Sequence, residues 1–427
     1  MTWKTRPKTP GSERVFRNMM TLLAGGAAAK LAGFAAMPII TRIYTPEEIG
    51  VLGTFTSIVA VLSPLATLRY ATALPVPRRD STAANLFVLS VATLSIFVVT
   101  LSIFSWLAGS QILSVLSLDP LTPYLPLVTV AVFCTALYEV LTLWGTRKRA
   151  FRILAASQAA QAVTGNAIKI ALGLFGFKLG GLLLGQIVQQ GGAAFALLRI
   201  CTGQIISTRR HISIRRICAL ASSFSDAPRF RLPSQFLLMA SMQSPVLFSA
   251  HLFGMEATGQ LSLALGVLAV PLSLLGTTTG NAYFSEISAV GRNNAERVLE
   301  ITRSVTKRLL LLSVLPALAL LFTGPWLFSL IFGFEWDLAG RISQILSIYL
   351  VFQFISSPLG NALTLFRRQD LLLSMNIARF AITAAIFLAS TPLDLGLEST
   401  LATYSLFLSI HYILSNRIIF KVIKKAC

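Results

Sequence analysis

Three basic residues lie inside long apolar stretches of the chain, where a charge is unfavourable. They are Lys30, Lys169 and Arg379. A cation at the centre of a membrane-spanning helix costs about 2.5–3.5 kcal/mol on insertion scales, so such a residue usually faces a partner or a water-filled cavity. A guanidinium is also permanently charged, and its fork of donors matches phosphate oxygens. We therefore expect a cationic cavity suited to an anionic ligand.

The residues around Lys30 and Lys169 leave two interpretations open for each. Lys30 shares a helical face with Gly26 and Gly33, whose small size permits close helix approach. It either faces the cavity or pairs with a backbone carbonyl, and the rarity of lysine facing lipid favours the cavity. Lys169 either faces a cavity or extends towards the outer membrane surface, from which it is two helical turns away.

A polar stripe precedes Lys169 on its own helix, because Gln158, Gln161 and Gly165 recur at spacings of three and four residues. The next apolar stretch carries further glutamines. Two neighbouring polar faces in lipid must meet each other or water. Together with amides in the second half of the chain, the predicted polar lining of the cavity comprises Gln158, Gln161, Asn166, Gln189, Gln243, Asn281, Asn361 and Asn376.

Glu139 is the only carboxylate well inside an apolar stretch. It could take part in H⁺ or Na⁺ coupling, or it could pair with Arg147 or Lys148, and the sequence favours pairing. The chain has no nucleotide-binding Gly-rich loop, no paired carboxylates within a span and only three widely separated histidines. The four cysteines fit no metal site. We therefore predict neither an enzyme nor a bound cofactor or metal.

The elements that carry these residues are membrane-spanning helices. Of the 427 residues 55% are hydrophobic and only 12% are charged, against about 25% charged in a soluble domain. The apolar residues fall in blocks of roughly 20, which is long enough to cross the hydrocarbon core as a helix. The sequence predicts an all-α polytopic protein with twelve helices at 18–41, 48–71, 84–106, 122–145, 153–176, 179–200, 232–253, 261–285, 309–332, 342–365, 371–391 and 398–420.

The distribution of basic residues orients this map. Most of the 36 Lys and Arg residues fall in alternate loops when the amino terminus is placed in the cytoplasm, as the positive-inside rule requires. Both termini are then cytoplasmic. The net charge of +20 therefore reflects topology and attraction to anionic membrane lipids, and it does not indicate nucleic acid.

The longest basic loop divides the chain into two groups of six helices, which favours a two-lobed transporter with a central cavity. A second cytoplasmic segment, 286–308, has the pattern of a short amphipathic surface helix. The predicted organisation is a cytoplasmic tail 1–17, an N-lobe 18–200, a basic linker 201–231, a C-lobe 232–420 and a cytoplasmic tail 421–427.

One region is specific enough to resemble a known family. It runs Pro38-Ile-Ile-Thr-Arg-Ile-Tyr-Thr-Pro-Glu-Glu-Ile-Gly50, followed by Leu68-Arg69-Tyr70 and Ala83-Ala-Asn-Leu86. It is similar to the amino-terminal region of Wzx-type polysaccharide flippases, which belong to the multidrug/oligosaccharidyl-lipid/polysaccharide exporter superfamily. Ala71 stands where many members have a glutamate after Arg-Tyr, which leaves open whether Arg69 has an anionic partner.

The resemblance implies a flippase for undecaprenyl-pyrophosphate-linked oligosaccharides in the bacterial inner membrane, serving O-antigen or capsule synthesis. It further implies alternating access coupled to an ion gradient, with a polysaccharide polymerase and a chain-length regulator as possible partners. Lys30, Lys169 and Arg379 are then the substrate-binding cations, and Arg42 and Arg69 are candidates for substrate admission or release.

Two alternatives compete with a flippase. The first is a multidrug antiporter of the same superfamily, but cation exporters usually need acidic residues in the cavity, and Glu139 is the single candidate. The second is an integral-membrane glycan polymerase or ligase. Such enzymes commonly have a long periplasmic loop, and no predicted outer loop is long enough to form one.

Overall fold

The computed structural model describes residues 10–199 and 212–426, with side chains from residue 24 onwards. The described residues form helices joined by short connections, without strands. The helices are α1 Pro10–Ile43, α2 Pro46–Ala66, α3 Asp80–Val115, α4 Leu125–Arg147, α5 Phe151–Leu174, α6 Lys178–Gly191, α7 Ile214–Ser223, α8 Leu232–Val290, α9 Ala295–Phe332, α10 Asp337–Leu365, α11 Gln369–Ser390 and α12 Leu397–Lys425.

The predicted all-α polytopic fold is confirmed. Within the described ranges, ten helical segments are long and apolar enough to cross a membrane. The α5 helix is not among them, because the polar stripe with Lys169 lowers its hydropathy. The long α8 helix covers two predicted spans and changes direction at Gly254, where φ is 81°, a left-handed conformation that favours glycine.

Backbone contacts divide the chain into two compact units. The first unit contains Met1–Ala36, Leu62–Ser110 and Pro123–Gln235. The second unit contains Met37–Val61, Gln111–Thr122 and Phe236–Cys427. Most of α2 therefore packs with the second half of the chain, whereas the predicted division into 18–200 and 232–420 stays a prediction. The predicted tail 1–17 and linker 201–231 lie partly outside the described residues.

The predicted surface helix within 286–308 is wrong. Helix α8 continues to Val290, and α9 begins at Ala295 and runs unbroken to Phe332. Asn294 caps α9, since its side chain accepts a hydrogen bond from the Arg297 backbone amide at 3.2 Å. The apolar face of this segment, including Val298 and Ile301, is buried in a hydrophobic cluster of the second unit. Its amphipathic pattern reflects this protein core rather than a membrane surface.

Two glycines in the second unit allow α2 and α8 to cross in close contact. A Cβ atom at Gly50 would overlap the carbonyl oxygen of Met255, and one at Gly259 would overlap that of Pro46. Thr54 adds a contact across the crossing, with its Oγ1 3.7 Å from the Met255 Sδ. The crossing therefore depends on the absence of side chains at these two positions.

A buried glutamine fixes the beginning of α10 in the same unit. The Gln260 Nε2 donates to the Glu335 carbonyl at 2.6 Å, and its Oε1 accepts from the Ala339 amide at 2.9 Å. Nearby, the Trp336 Nε1 donates to the Thr41 carbonyl at 3.1 Å. These bonds satisfy polar groups at helix ends, where backbone donors and acceptors have no partner within the helix.

We expect Gly50→Ala to lower the stability of the protein, because the added methyl group would push α2 away from α8. Overpacking of this kind typically costs about 1–3 kcal/mol. Thermal unfolding of the detergent-purified protein measures the effect. Gly360→Ala is the matched control, since a Cβ there would meet only the Leu372 Cδ1 at 3.7 Å. Equal midpoints for the two variants would contradict the close crossing.

Candidate functional site

A polar cavity of about 680 Å³ lies within the second unit. Its wall comes from α2, α8, α10, α11 and α12. Among the residues that the structure describes, Arg379 is the one basic residue of the wall, and no wall residue is a carboxylate. The described part of the wall is therefore electropositive.

Arg379 is held in place by hydroxyl groups. The residue is only 9% exposed. Its Nε donates to the Ser241 Oγ at 2.6 Å and its Nη1 donates to the Tyr412 hydroxyl at 3.2 Å. The buried Nη2 has no hydrogen-bond partner among the described residues. Since a buried donor without an acceptor is costly, this geometry is suited to an anionic oxygen from a ligand.

Three tyrosines line the same cavity. The rings of Tyr349 and Tyr412 stack with centroids 6.5 Å apart, and the Tyr404 ring meets Tyr349 edge-on at 5.6 Å. Tyrosine combines a large apolar ring with a polar tip. This set can therefore pack against the apolar faces of a bulky polar ligand such as a sugar while its hydroxyl groups form hydrogen bonds.

Three predicted amides are also part of the wall, namely Gln243, Asn281 and Asn361. The Asn361 Nδ2 donates to the Gly280 carbonyl at 3.2 Å, which fixes its orientation towards α8. The predicted Asn376 lies on α11 outside the wall and is half-buried. The structure thus brings Arg379 together with three of the amides predicted for the second half of the chain.

Lys169 lies in the first unit and is only 4% exposed. Its Nζ donates to the Gln186 Oε1 at 2.5 Å and also to the Gln189 Oε1. Gly185 lets α6 approach the lysine closely, because a Cβ there would overlap the Lys169 side chain. The lysine is therefore directed into the protein between α5 and α6, and the outward orientation considered above is wrong.

The other predicted polar residues of the first unit surround this pair of helices. A Cβ at Gly26 would lie 3.4 Å from the Gln158 Oε1, and one at Gly33 would lie 3.7 Å from the Gln189 Nε2. The small-residue face of α1 thus packs against the amides, and Lys30 on that face is exposed. The remaining amides are Asn166, which donates to the Ala162 carbonyl at 2.8 Å, and Gln161, whose buried Oε1 has no partner in the described ranges.

Arg69 has an anionic partner. Its Nη1 lies 2.8 Å from the Glu139 Oε1, with the two side chains 18% and 33% exposed. The predicted partners of Glu139, Arg147 and Lys148, instead pair with Asp80 at 2.8 and 2.7 Å. Glu139 is therefore paired, as predicted, but the predicted partner was wrong, since the partner is Arg69. Arg69 adopts φ 60° in the turn that follows α2, in the left-handed region that residues other than glycine rarely occupy.

The other predicted terminal cation, Arg42, belongs to the second unit and is exposed near the end of α1. Its Nη1 donates to the Pro38 carbonyl at 2.8 Å. Pro38 cannot donate a helical hydrogen bond, and its ring disturbs the helix around it. The structure thus describes Arg42 at a surface and Arg69 in an ion pair.

The tyrosines and Ser241 were not predicted as site residues. Tyr404 and Tyr412 are eight residues apart, which places them on one face of a helix. Ser405 and Ser409 follow on adjacent positions of α12, so the polar face was visible in the sequence. Nothing in the sequence indicates that this face turns towards Arg379 on a different helix.

We expect the Arg69–Glu139 pair to show a coupling free energy of about 1 kcal/mol or more in a double-mutant cycle. The variants are Arg69→Gln, Glu139→Gln and their combination, and SDS-induced unfolding in mixed micelles measures each stability. The control cycle is the exposed pair Arg297–Glu300, for which about 0.2–0.5 kcal/mol is expected. Equal coupling free energies in the two cycles would contradict the expectation that partial burial strengthens the Arg69–Glu139 pair.

The sequence matches the family model for polysaccharide biosynthesis proteins over residues 39–340. A search of curated protein sequences finds no match. The matched region includes all of α2, α8 and α9.

Solved structures share the fold at low sequence identity. An inward-facing multidrug resistance MATE transporter of the MOP superfamily has a TM-score of 0.67 and 16% identity, covering 95% of each chain. The lipid II flippase MurJ in an inward closed conformation has a TM-score of 0.66 and 13% identity, covering 97% of this chain and 90% of MurJ. A MOP superfamily transporter from Pyrococcus furiosus, described by the reverse polarity of its binding pocket, has a TM-score of 0.59 and 15% identity over 96% of each chain.

Proposed function

This chain belongs to the polysaccharide biosynthesis protein family, and we propose that it is a flippase for undecaprenyl-pyrophosphate-linked oligosaccharide units. It moves them across the bacterial inner membrane for the synthesis of surface polysaccharide, either O-antigen or capsule. The helices that cross the membrane and the transporter fold support this proposal.

The observation that carries the proposal is the buried guanidinium of Arg379. Within the described part of the chain, no carboxylate of the cavity wall neutralises its charge, and its Nη2 has no hydrogen-bond acceptor. A pyrophosphate supplies charge and acceptor oxygens at once, and Arg is the side chain best suited to bind them. Charge-assisted hydrogen bonds of this kind are roughly twice as strong as neutral ones.

The rest of the wall suits the sugars of the same substrate. Tyr349 and Tyr404 offer apolar ring surface, while Gln243, Asn281 and Asn361 offer both donors and acceptors. Neutral amides and hydroxyls can bind different glycans without a charge that would repel the pyrophosphate. Such a wall accounts for binding of a glycan class and does not select one sugar sequence.

The other predicted cations are part of the same proposal. Lys30 and Lys169 contribute positive charge, and Arg42 and Arg69 act where substrate is admitted or released.

Transport proceeds by alternating access and is driven by a H⁺ or Na⁺ gradient. Glu139 is the proposed coupling group, because its neutralisation would weaken the ion pair with Arg69 and free that arginine. Both termini lie in the cytoplasm, and a polysaccharide polymerase and a chain-length regulator receive the product.

A multidrug antiporter is the second candidate, because the fold is shared with MATE transporters. The cavity wall argues against cationic drugs, since it presents a guanidinium and no carboxylate. Anionic or neutral small molecules would fit such a wall, so binding measurements with undecaprenyl pyrophosphate decide between the two functions.

We expect Arg379→Gln to weaken the binding of undecaprenyl pyrophosphate to the purified protein about 10- to 100-fold, since a hydrogen bond to a charged group contributes about 1.5–3 kcal/mol. Arg379→Lys should retain part of the affinity, because the ammonium keeps the positive charge. It should not retain all of it, because the paired N–H donors of the guanidinium are lost.

The double variant Lys30→Gln with Arg379→Gln should abolish surface polysaccharide export.

Arg417→Gln is the matched control, because it removes an arginine from the exposed surface of α12 in the same unit. Immunoblots of membrane fractions establish that all variants reach the membrane. Export at the wild-type level in the Lys30/Arg379 double variant, with normal binding by Arg379→Gln, would refute the cationic-cavity mechanism.

A further inference from the structure

A second concavity of the second unit is almost entirely apolar. It lies between the carboxyl-terminal half of α8, the middle of α9 and α10, and its wall includes Pro271, Leu275, Leu312, Pro316 and Phe354. We call it the apolar groove. Prolines on both α8 and α9 interrupt the helical packing here, because each removes a hydrogen bond and bends its helix. The groove therefore marks a gap that the neighbouring helices do not fill.

The two hydroxyl groups on the groove wall are already used. The Ser313 Oγ donates to the Leu310 carbonyl at 3.1 Å, and the Ser347 Oγ donates to the Gln344 carbonyl at 2.7 Å. Both bonds are made within the serine's own helix, so neither hydroxyl needs a ligand or a water molecule. A hydrocarbon is thus the occupant that suits this wall.

The groove shares part of its wall with the Arg379 cavity. Leu268, Leu272 and Leu350 belong to both. These three leucines form the leucine layer, a thin apolar partition with the polar cavity on one side and the groove on the other. A ligand with a charged head and an apolar tail could thus contact both sides of the layer within one unit.

The groove also borders the part of the protein exposed to lipid. Leu312 is 53% exposed and Leu275 is 44% exposed. Only 11% of the most apolar stretch of α9 is buried within the protein, as expected for a helix whose other sides face the bilayer. A chain leaving the groove would therefore enter hydrocarbon directly, without passing a polar surface.

We propose that the apolar groove binds the polyprenyl chain of the substrate next to its pyrophosphate, while the pyrophosphate contacts Arg379. This inference rests on the proposed function. A lipid-linked head group remains covalently joined to its tail during transport, so its binding site must adjoin an apolar exit. The groove provides that exit, because it shares the leucine layer with the Arg379 cavity and continues towards the lipid.

Ala317→Phe tests the groove directly, since Ala317 lies on its wall and a phenylalanine there would fill it. The control is Ala319→Phe, two residues further along the same exposed helix and outside the groove. We expect Ala317→Phe to weaken undecaprenyl pyrophosphate binding by about tenfold. This is the effect of removing about two methylene groups of the polyprenyl chain from their apolar site. Binding of inorganic pyrophosphate should not change, because that probe has no tail.

The two proposals fail in different ways. If the wild type binds neither undecaprenyl pyrophosphate nor inorganic pyrophosphate, the proposed function is wrong. If the wild type binds both, and Ala317→Phe binds undecaprenyl pyrophosphate as well as Ala319→Phe does, only the groove inference is wrong. Thermal unfolding of both variants verifies that they are folded.

A photoreactive benzoylphenylalanine at Leu312 provides a second measurement that leaves the groove unfilled. Radiolabelled undecaprenyl pyrophosphate should cross-link at this position in reconstituted vesicles and not at Leu330, which is exposed on the same helix outside the groove. Equal labelling at both positions would overturn the inference. Cross-linking to phospholipid alone, undiminished by added undecaprenyl pyrophosphate, would also overturn it by assigning the groove to bulk lipid.

Discussion

A charge inside a bilayer is separated from bulk water, so protein groups, water in a cavity or a ligand must solvate it. Lys169 and Arg379 are two solutions to this constraint. The ammonium of Lys169 is bound by two glutamine oxygens from the adjacent helix. The guanidinium of Arg379 is bound by two hydroxyl groups and retains a buried nitrogen without an acceptor among the described residues. The first charge has acceptors from the protein itself, whereas the second leaves one donor for an acceptor from a ligand.

The cavity around Arg379 exists because of backbone features some distance from it. The close crossing of α2 and α8 requires Gly50 and Gly259, and it brings the following turns of α2 into the cavity wall, including Gly53 and Ser57. Prolines within α8 and α10 bend the helices that form the remaining wall. A polar space can persist there because bent helices leave room that straight, closely packed helices would fill.

Polar and apolar surfaces meet across a single layer of leucine side chains in the second unit. On one side lie a guanidinium, tyrosines and amides, and on the other lies a groove whose hydroxyl groups are satisfied internally. This arrangement matches an amphiphile better than a water-soluble solute. It also supports the proposed substrate, because a lipid-linked glycan requires both surfaces within the length of one molecule.

The sequence by itself determined the apolar helices, the three cations within them and the amide stripes, because apolar length and helical periodicity are local properties. It did not determine where every helix begins, since α9 starts at Ala295 and not at the predicted residue 309. It could not determine which helical faces meet. The rotation and contacts of each helix depend on packing against distant segments. For this reason the partner of Glu139 proved to be Arg69 rather than Arg147 or Lys148. For the same reason the amphipathic segment after α8 proved to pack in a protein core, and only the tertiary structure placed three tyrosines beside Arg379.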